Sequence, residues 1–134
     1  MTQRKSFIPV GVLSDRPTFS PAVRVGNMVW LSGMTATDEN RKIIGVGDIA
    51  AQARFIYGKM EQVLRSIGGS LHDIVETVDY VTTFEGYEKT AAVRREVFEG
   101  GPYPAATGVL VSGLVRAEAL IEIRATAVLG SSTS

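Results

Sequence analysis

IVETVDYVTT, residues 74–83, decides the fold when it is read beside AATGVLVSGL, residues 105–114. The first stretch is rich in β-branched residues and reads as a strand. One parity of it carries Ile74, Val78 and Tyr80, and the other carries Val75, Thr77 and Val81. In the second stretch one parity holds Ala105, Thr107, Val109 and Val111, while the other holds Ala106, Gly108, Leu110, Ser112 and Leu114. Successive side chains of a strand point to opposite faces, so a sheet built from these two is apolar front and back. Two helices cover only one face of such a sheet. The second face needs a partner, and the sheet of another subunit is the simplest one. The competing reading of that face is a β-branched surface left to solvent.

The helices come from the neighbouring segments. Ala53, Ile56, Tyr57, Met60, Val63, Leu64 and Ile67 recur at spacings of three and four, which places all seven on one helical face. Asp48 fits the N-cap, and Gly68-Gly69 supplies a left-handed stop. A second helix fits 86–98 and is ended by Gly100-Gly101-Pro102 and Pro104. Upstream, 22–26 (AVRVG) and 28–33 (MVWLSG) read as two strands meeting at Gly26-Asn27, and 40–46 (NRKIIGV) as a short third strand. Two further strands fall at 106–112 and 120–129, and Gly130 to Ser134 reads as a frayed tail. The order is β-β-β-α-β-α-β-β, an α+β domain with two helices on one mixed sheet. No repeat or linker interrupts it, so one domain spanning 1–134 is expected.

Composition narrows the function. Lys plus Arg equals Asp plus Glu at 14 each, which leaves no net field to attract a polyanion, and no basic stripe is visible. Nucleic acid is therefore not an expected partner. With no cysteine and one histidine, disulfides, thiol chemistry and a soft-ligand zinc site are excluded, and no cofactor is expected. No segment reaches the roughly 20 apolar residues that span a bilayer, and Met1 to Lys5 lead into no signal-like apolar run. No membrane partner and a cytoplasmic location are the expectations. Ile44-Gly45-Val46-Gly47 lacks the core strand and third glycine of a dinucleotide fingerprint.

PYPAATGVLVSGL (102–114), ALIEIRATAVLG (119–130) and PTFSPAVRVGNMVWLSG (17–33) together resemble the RidA/YjgF family. That family opens on Pro-Tyr-Ser-x-Ala, carries a Ser-Gly motif, starts a strand with Pro-Ala-Arg, and continues with an Ile-Glu-Ile-x-Ala strand. The resemblance covers nearly the whole chain. It implies a chorismate-mutase-like fold assembled as a homotrimer, with small-molecule sites in the clefts between subunits. It also implies hydrolysis of reactive enamines or imines to a carbonyl compound and ammonia. In such members the signature Arg binds a substrate carboxylate, and the Glu of Ile-Glu-Ile handles water and protons. Glu122 matches that Glu, and Ser32-Gly33 are retained, but Ala106 stands at the Arg position and Phe19 at the Tyr position. The missing guanidinium argues against small 2-imino acids and for a different, related ligand. A trimer that binds a metabolite without turning it over is the alternative. The endoribonuclease activity attached to some relatives fits poorly with the neutral charge balance.

The resemblance makes Glu122 the catalytic candidate and Phe19, Ser32, Gly33, Tyr103, Ala106 and Thr107 the ligand contacts. Desolvation near a subunit seam would raise the Glu122 pKa, as suits a general acid or base, and an inter-subunit salt bridge is the competing role. Arg94 joins the ligand contacts on different grounds. On a helical wheel it sits amid Tyr87, Ala91, Val97 and Phe98, where a guanidinium needs an oxygen partner. It either supplies the cation that Ala106 lacks or pairs with Glu76, Asp79 or Glu122. Arg24 reads as an exposed strand charge and Arg54 as a snorkelling border residue. Ser70, His72 and Asp73 are too close in sequence for a triad, so His72 reads as a solvated loop residue. Trp30 reads as core or interface packing.

Overall fold

The computed structural model describes residues 4–7 and 18–133. Strands β2 (Ala22–Val25) and β3 (Met28–Met34) form the expected hairpin at Gly26-Asn27, and β1 (Arg4–Phe7) adds an edge that the sequence reading did not identify. Helix α1 (Ile49–Arg65) follows, then β4 (Ile74–Val81), α2 (Thr90–Val97), β5 (Ala105–Leu110) and β6 (Ile121–Val128). The sheet order is β1-β2-β3-β6-β4-β5. Only β4 and β5 run parallel, because α2 carries the chain over between them.

Three strands do precede α1, yet they are not the three expected. Residues 40–46 form no strand; a single antiparallel bridge, Thr37 to Ile43, closes a turn there. Asp38 explains the difference, since its carboxylate accepts from the backbone N–H groups of Asn40 and Lys42 and so curls the chain. The tail is also corrected. Residues 131–133 make a 3₁₀ turn, with Ser132 N–H donating to Asp73 Oδ1 at 3.2 Å; Ser134 and most of 1–17 lie outside the described residues.

Helix α1 forms where its periodicity places it. Asp48 Oδ1 accepts from Ala51 N–H at 3.0 Å, and Gly68 with φ +83° turns the chain out. The buried face of α1, including Ile56, Tyr57, Met60, Val63 and Leu64, meets Ile121, Ile123, Ala125 and Ala127 of β6. Each large aliphatic group removed from water there contributes about 1.5–3 kcal/mol. The opposite face of β6 carries Glu122, Arg124, Thr126 and Val128, none of them fully buried. On that face Trp30 is 43% exposed, Met28 36% and Val109 37%. All six residues of β5 are exposed. The second apolar face inferred from 74–83 and 105–114 is thus uncovered by this chain.

Gln52 ties the loops to this frame. It is fully buried; its Nε2 donates to Gly45 O and Glu118 O at 3.1 and 3.2 Å, and its Oε1 accepts from Leu120 N–H at 2.8 Å. Gln52→Leu keeps the volume but leaves two part-buried backbone groups, Glu118 O and Leu120 N–H, without this partner, each costing on the order of 1–3 kcal/mol, while Gly45 O keeps the Asp48 N–H. Urea unfolding should show Gln52→Leu less stable by about 2–4 kcal/mol, with its m-value unchanged.

Candidate functional site

Glu122 is positioned by a defect in the sheet. The register of β3 on β6 shifts between Leu31 and Met34, which partner Ala125 and Ile123, so Ser32-Gly33 form a β-bulge. The Glu122 carboxylate lies across that bulge: a methyl group on Gly33 would collide with its Oε2. Gly33 therefore makes room for the acid. Ser32 Oγ donates to Ser20 O at 2.6 Å, and Ser32 N–H donates to Pro21 O, which fastens the segment carrying Phe19 beside the bulge. With its proton engaged, the Ser32 hydroxyl offers a ligand only its lone pairs. Phe19 is 56% exposed. Burial raises the Glu122 pKa above its ordinary value. No cation pairs with it among the described residues, and Tyr80, its register partner on β4, accepts from Arg124 Nε instead.

A second polar group lies under the other edge of the sheet. Arg94 reaches from α2 and pairs with none of Glu76, Asp79 or Glu122. Its Nη1 donates to Tyr57 Oη at 2.8 Å and to Thr77 Oγ1 at 3.0 Å, while its guanidinium carbon sits 5.4 Å from the centre of the Phe98 ring. Phe98 meets Tyr57 and Tyr103 edge-on at 5.5 and 6.4 Å. Asp79, on the same strand face as Thr77, accepts from Tyr87 Oη at 2.8 Å and is left with a buried Oδ1 that no donor reaches. Burial raises the Asp79 pKa, against the opposing pulls of the Tyr87 hydroxyl and the Arg94 charge. Burial likewise pushes the Tyr57 hydroxyl up to about 12.

The sequence candidates fall into these two groups. Phe19, Ser32, Gly33 and Glu122 gather at the bulge; Arg94, Tyr103 and Ala106 gather under β5. Ala106 partners Thr77 and faces the helices, whereas Thr107 partners Val78 and shares the Glu122 face. With β4 between them and three residues of offset along the strands, Glu122 and Ala106 stand about 14 Å apart in the sheet and on opposite faces. One small molecule cannot touch both within one chain.

The sequence reading missed Tyr57, Thr77 and Tyr87 as polar partners and named Asp79 only as a possible mate for Arg94, although Thr77 and Asp79 share the inward parity of β4, where polar side chains need a reason. It also missed Lys59, whose ammonium donates to Thr35 O and Thr37 O and whose pKa falls to about 8, chiefly through burial. With two protons engaged, Lys59 pins the loop after β3. Arg24 donates to Gly26 O, and exposed Arg54 pairs with Glu96 at 3.0 Å. His72 is half-buried, 3.5 Å from Glu99, in a turn whose Ser70 and Asp73 cap one another, so these three do not form a triad. Among the described residues no cluster of three metal-ligating side chains occurs, and no helix is long and apolar enough to cross a membrane.

The family described as endoribonuclease L-PSP matches residues 13–129. The chain is 33% identical to the 3-aminoacrylate deaminase RutC of Acinetobacter baylyi, over 92% of this chain and 97% of that one. Among solved structures it resembles a protein of unknown function from Pseudomonas aeruginosa, at 34% identity and TM-score 0.85, covering 97% of this chain and 95% of that one. It also resembles RidA of an Antarctic Psychrobacter, at 27% identity and TM-score 0.78, over 87% of this chain and 92% of that one.

The bulge geometry predicts a titration. Burial favours protonated Glu122, so folding raises its pKa, and the stability it contributes below its unfolded value is lost as pH rises through the raised value. Carbon-13 NMR of labelled side-chain carboxyls should place Glu122 above ordinary glutamates. Gly33→Ala, which pushes the group toward water, should bring it back to the ordinary range.

Proposed function

The chain belongs to the RidA/YjgF family, and from that membership we propose that it hydrolyses a small enamine or imine to a carbonyl compound and ammonia in clefts between three identical subunits. The observation that carries this reading is the Glu122 carboxyl, half-buried over the Ser32-Gly33 bulge with its pKa raised by burial. A carboxyl whose pKa is raised by burial holds its proton more readily than an ordinary glutamate, as a general acid or base requires. An enamine tautomerises to its imine, and water adds to the imine carbon. Glu122 takes a proton from that water and passes it to the nitrogen, giving a carbinolamine. It then carries the hydroxyl proton to the amino group, and the carbon–nitrogen bond breaks as the carbonyl forms and ammonia leaves. Water supplies the new oxygen, and no redox partner is needed.

The homotrimer is supported by the split between the two groups. A ligand that touches Glu122 on one face and the region of Ala106 on the other must lie between two copies. The exposed Trp30, Met28 and Val109 and the other exposed residues of β5 give those copies an apolar surface to share. Phe19, Thr107 and Tyr103 would then wall the cleft. The lack of cysteine suits a reducing interior such as the cytoplasm. The small residue at Ala106 favours one second reading, a trimer that holds a metabolite without turning it over.

Ammonia release from 3-aminoacrylate, the substrate in the name of the Acinetobacter relative, and from imines made by an amino-acid oxidase is the direct assay. The parent protein should accelerate at least one. Glu122→Gln should lower kcat/KM roughly 10²–10⁴-fold and remove the carboxyl limb of its pH profile, with the trimer intact by ultracentrifugation. No acceleration together with saturable ligand binding would favour the binder, and a folded lone protomer would remove the cleft altogether.

A further inference from the structure

We infer that Arg94 is the carboxylate anchor of this chain, presenting the Nε–Nη2 edge of its guanidinium to the ligand from α2 rather than from β5. The inference rests on the proposed inter-subunit cleft and names the group that sets its ligand class. An arginine has five donors in a planar fork, and a carboxylate takes two parallel ones. Both donors of Nη1 are engaged, one by Tyr57 Oη and one by Thr77 Oγ1. Among the described residues nothing accepts from Nε or Nη2, and neither atom is sealed from solvent. What remains is one complete two-donor edge on a guanidinium already fixed in plane by two hydroxyls and the Phe98 ring.

The charge is as incomplete as the hydrogen bonding. Arg94 has no ion-pair partner among the described residues, and its nearest oxygens are neutral hydroxyls. A half-buried cation in that state gains from an anion. Asp79 lies near enough for its charge to feel Arg94, but it makes no ion pair with it: its Oδ2 accepts from the Tyr87 hydroxyl and no donor reaches its Oδ1.

Ala106 gives the placement its meaning. Its register partner is Thr77, the residue that holds Arg94, and both face the helices. A guanidinium carried on residue 106 would occupy the space beside Arg94 and repel it. A methyl group there is what Arg94 requires. Tyr57 and Thr77 are then positioning residues, and Arg94 is the one that touches the ligand.

Pyruvate and its uncharged amide, pyruvamide, separate the possibilities by calorimetry without any turnover. The parent should bind pyruvate saturably and better than pyruvamide. Arg94→Gln should weaken pyruvate roughly ten- to hundredfold and leave pyruvamide unchanged. Arg94→Lys, which keeps the charge but not the fork, should fall between. Thr77→Val and Tyr57→Phe should weaken pyruvate by a smaller factor and raise KM for a carboxylate-bearing imine with kcat held. Ala106→Arg placed on Arg94→Gln should restore pyruvate binding. The inference is overturned if the parent binds no pyruvate, or if Arg94→Gln binds it as the parent does; should Arg94→Gln fail to fold, Arg94→Lys decides in its place. Arg94-dependent pyruvate binding with no imine turnover would sink the catalytic reading and leave the anchor standing. Turnover indifferent to Arg94 would do the reverse.

Discussion

The register of β6 governs both halves of this molecule. Its inward residues Ile121, Ile123, Ala125 and Ala127 are dry against α1, and its outward residues include Glu122. Side chains alternate with a period of two, so a slip of one residue would bury Glu122 under the helix and expose two isoleucines. The packing energy of the core is therefore what holds the acid on the opposite face. The bulge at Ser32-Gly33 then does locally what the register cannot, by removing the side chain that would otherwise crowd the carboxylate.

The same strand pair sets the electrostatics beneath the edge. Thr77 and Asp79 point inward from β4 and meet Tyr57, Tyr87 and Arg94 from the helical layer. One positive and one negative side chain share this space without touching. Gly108 permits it, because a methyl group there would press on the Tyr87 hydroxyl that engages Asp79. With the Tyr87 hydroxyl engaging Asp79, Arg94 is left to hydroxyl oxygens and an aromatic face.

Much of this was legible before the structure. Six of the seven apolar residues read as one helical face fall in α1, and they, the Asp48 cap and the alternation in β6 form where a single local period puts them. In β4, by contrast, a register shift between Ile74 and Glu76 turns Ile74 to the helices, against the parity it was given with Val78 and Tyr80. The strand expected at 40–46 failed because Asp38 bends the chain by side-chain hydrogen bonds that an apolar pattern does not register. β1 was missed, and its four residues carry Arg4 and Lys5, so little apolar alternation marks it. At the site, residue types were legible but their directions were not. The wheel showed that Arg94 needed a partner and named carboxylates; the partners are hydroxyls from α1 and β4, segments whose approach depends on tertiary packing.

The two polar groups are held by different means, and this has a chemical consequence. Glu122 extends from β6 over the bulge, so the strand register and the space that Gly33 leaves set where its carboxylate lies. Arg94 stands on a short helix and is steered by two hydroxyls and a ring, so its free edge is set by side-chain packing. Moving a cation from strand to helix while the acid stays put changes the line between anchor and reacting carbon. In the proposed cleft, the Tyr87 ring fills the space beside Gly108, but a ligand carboxylate drawn toward α2 leaves the space beside Ala106 free of a guanidinium. A substituent on the ligand can enter there. Selectivity among imines would then reside in the distance from carboxylate to imine carbon, with the acid chemistry at Glu122 unchanged.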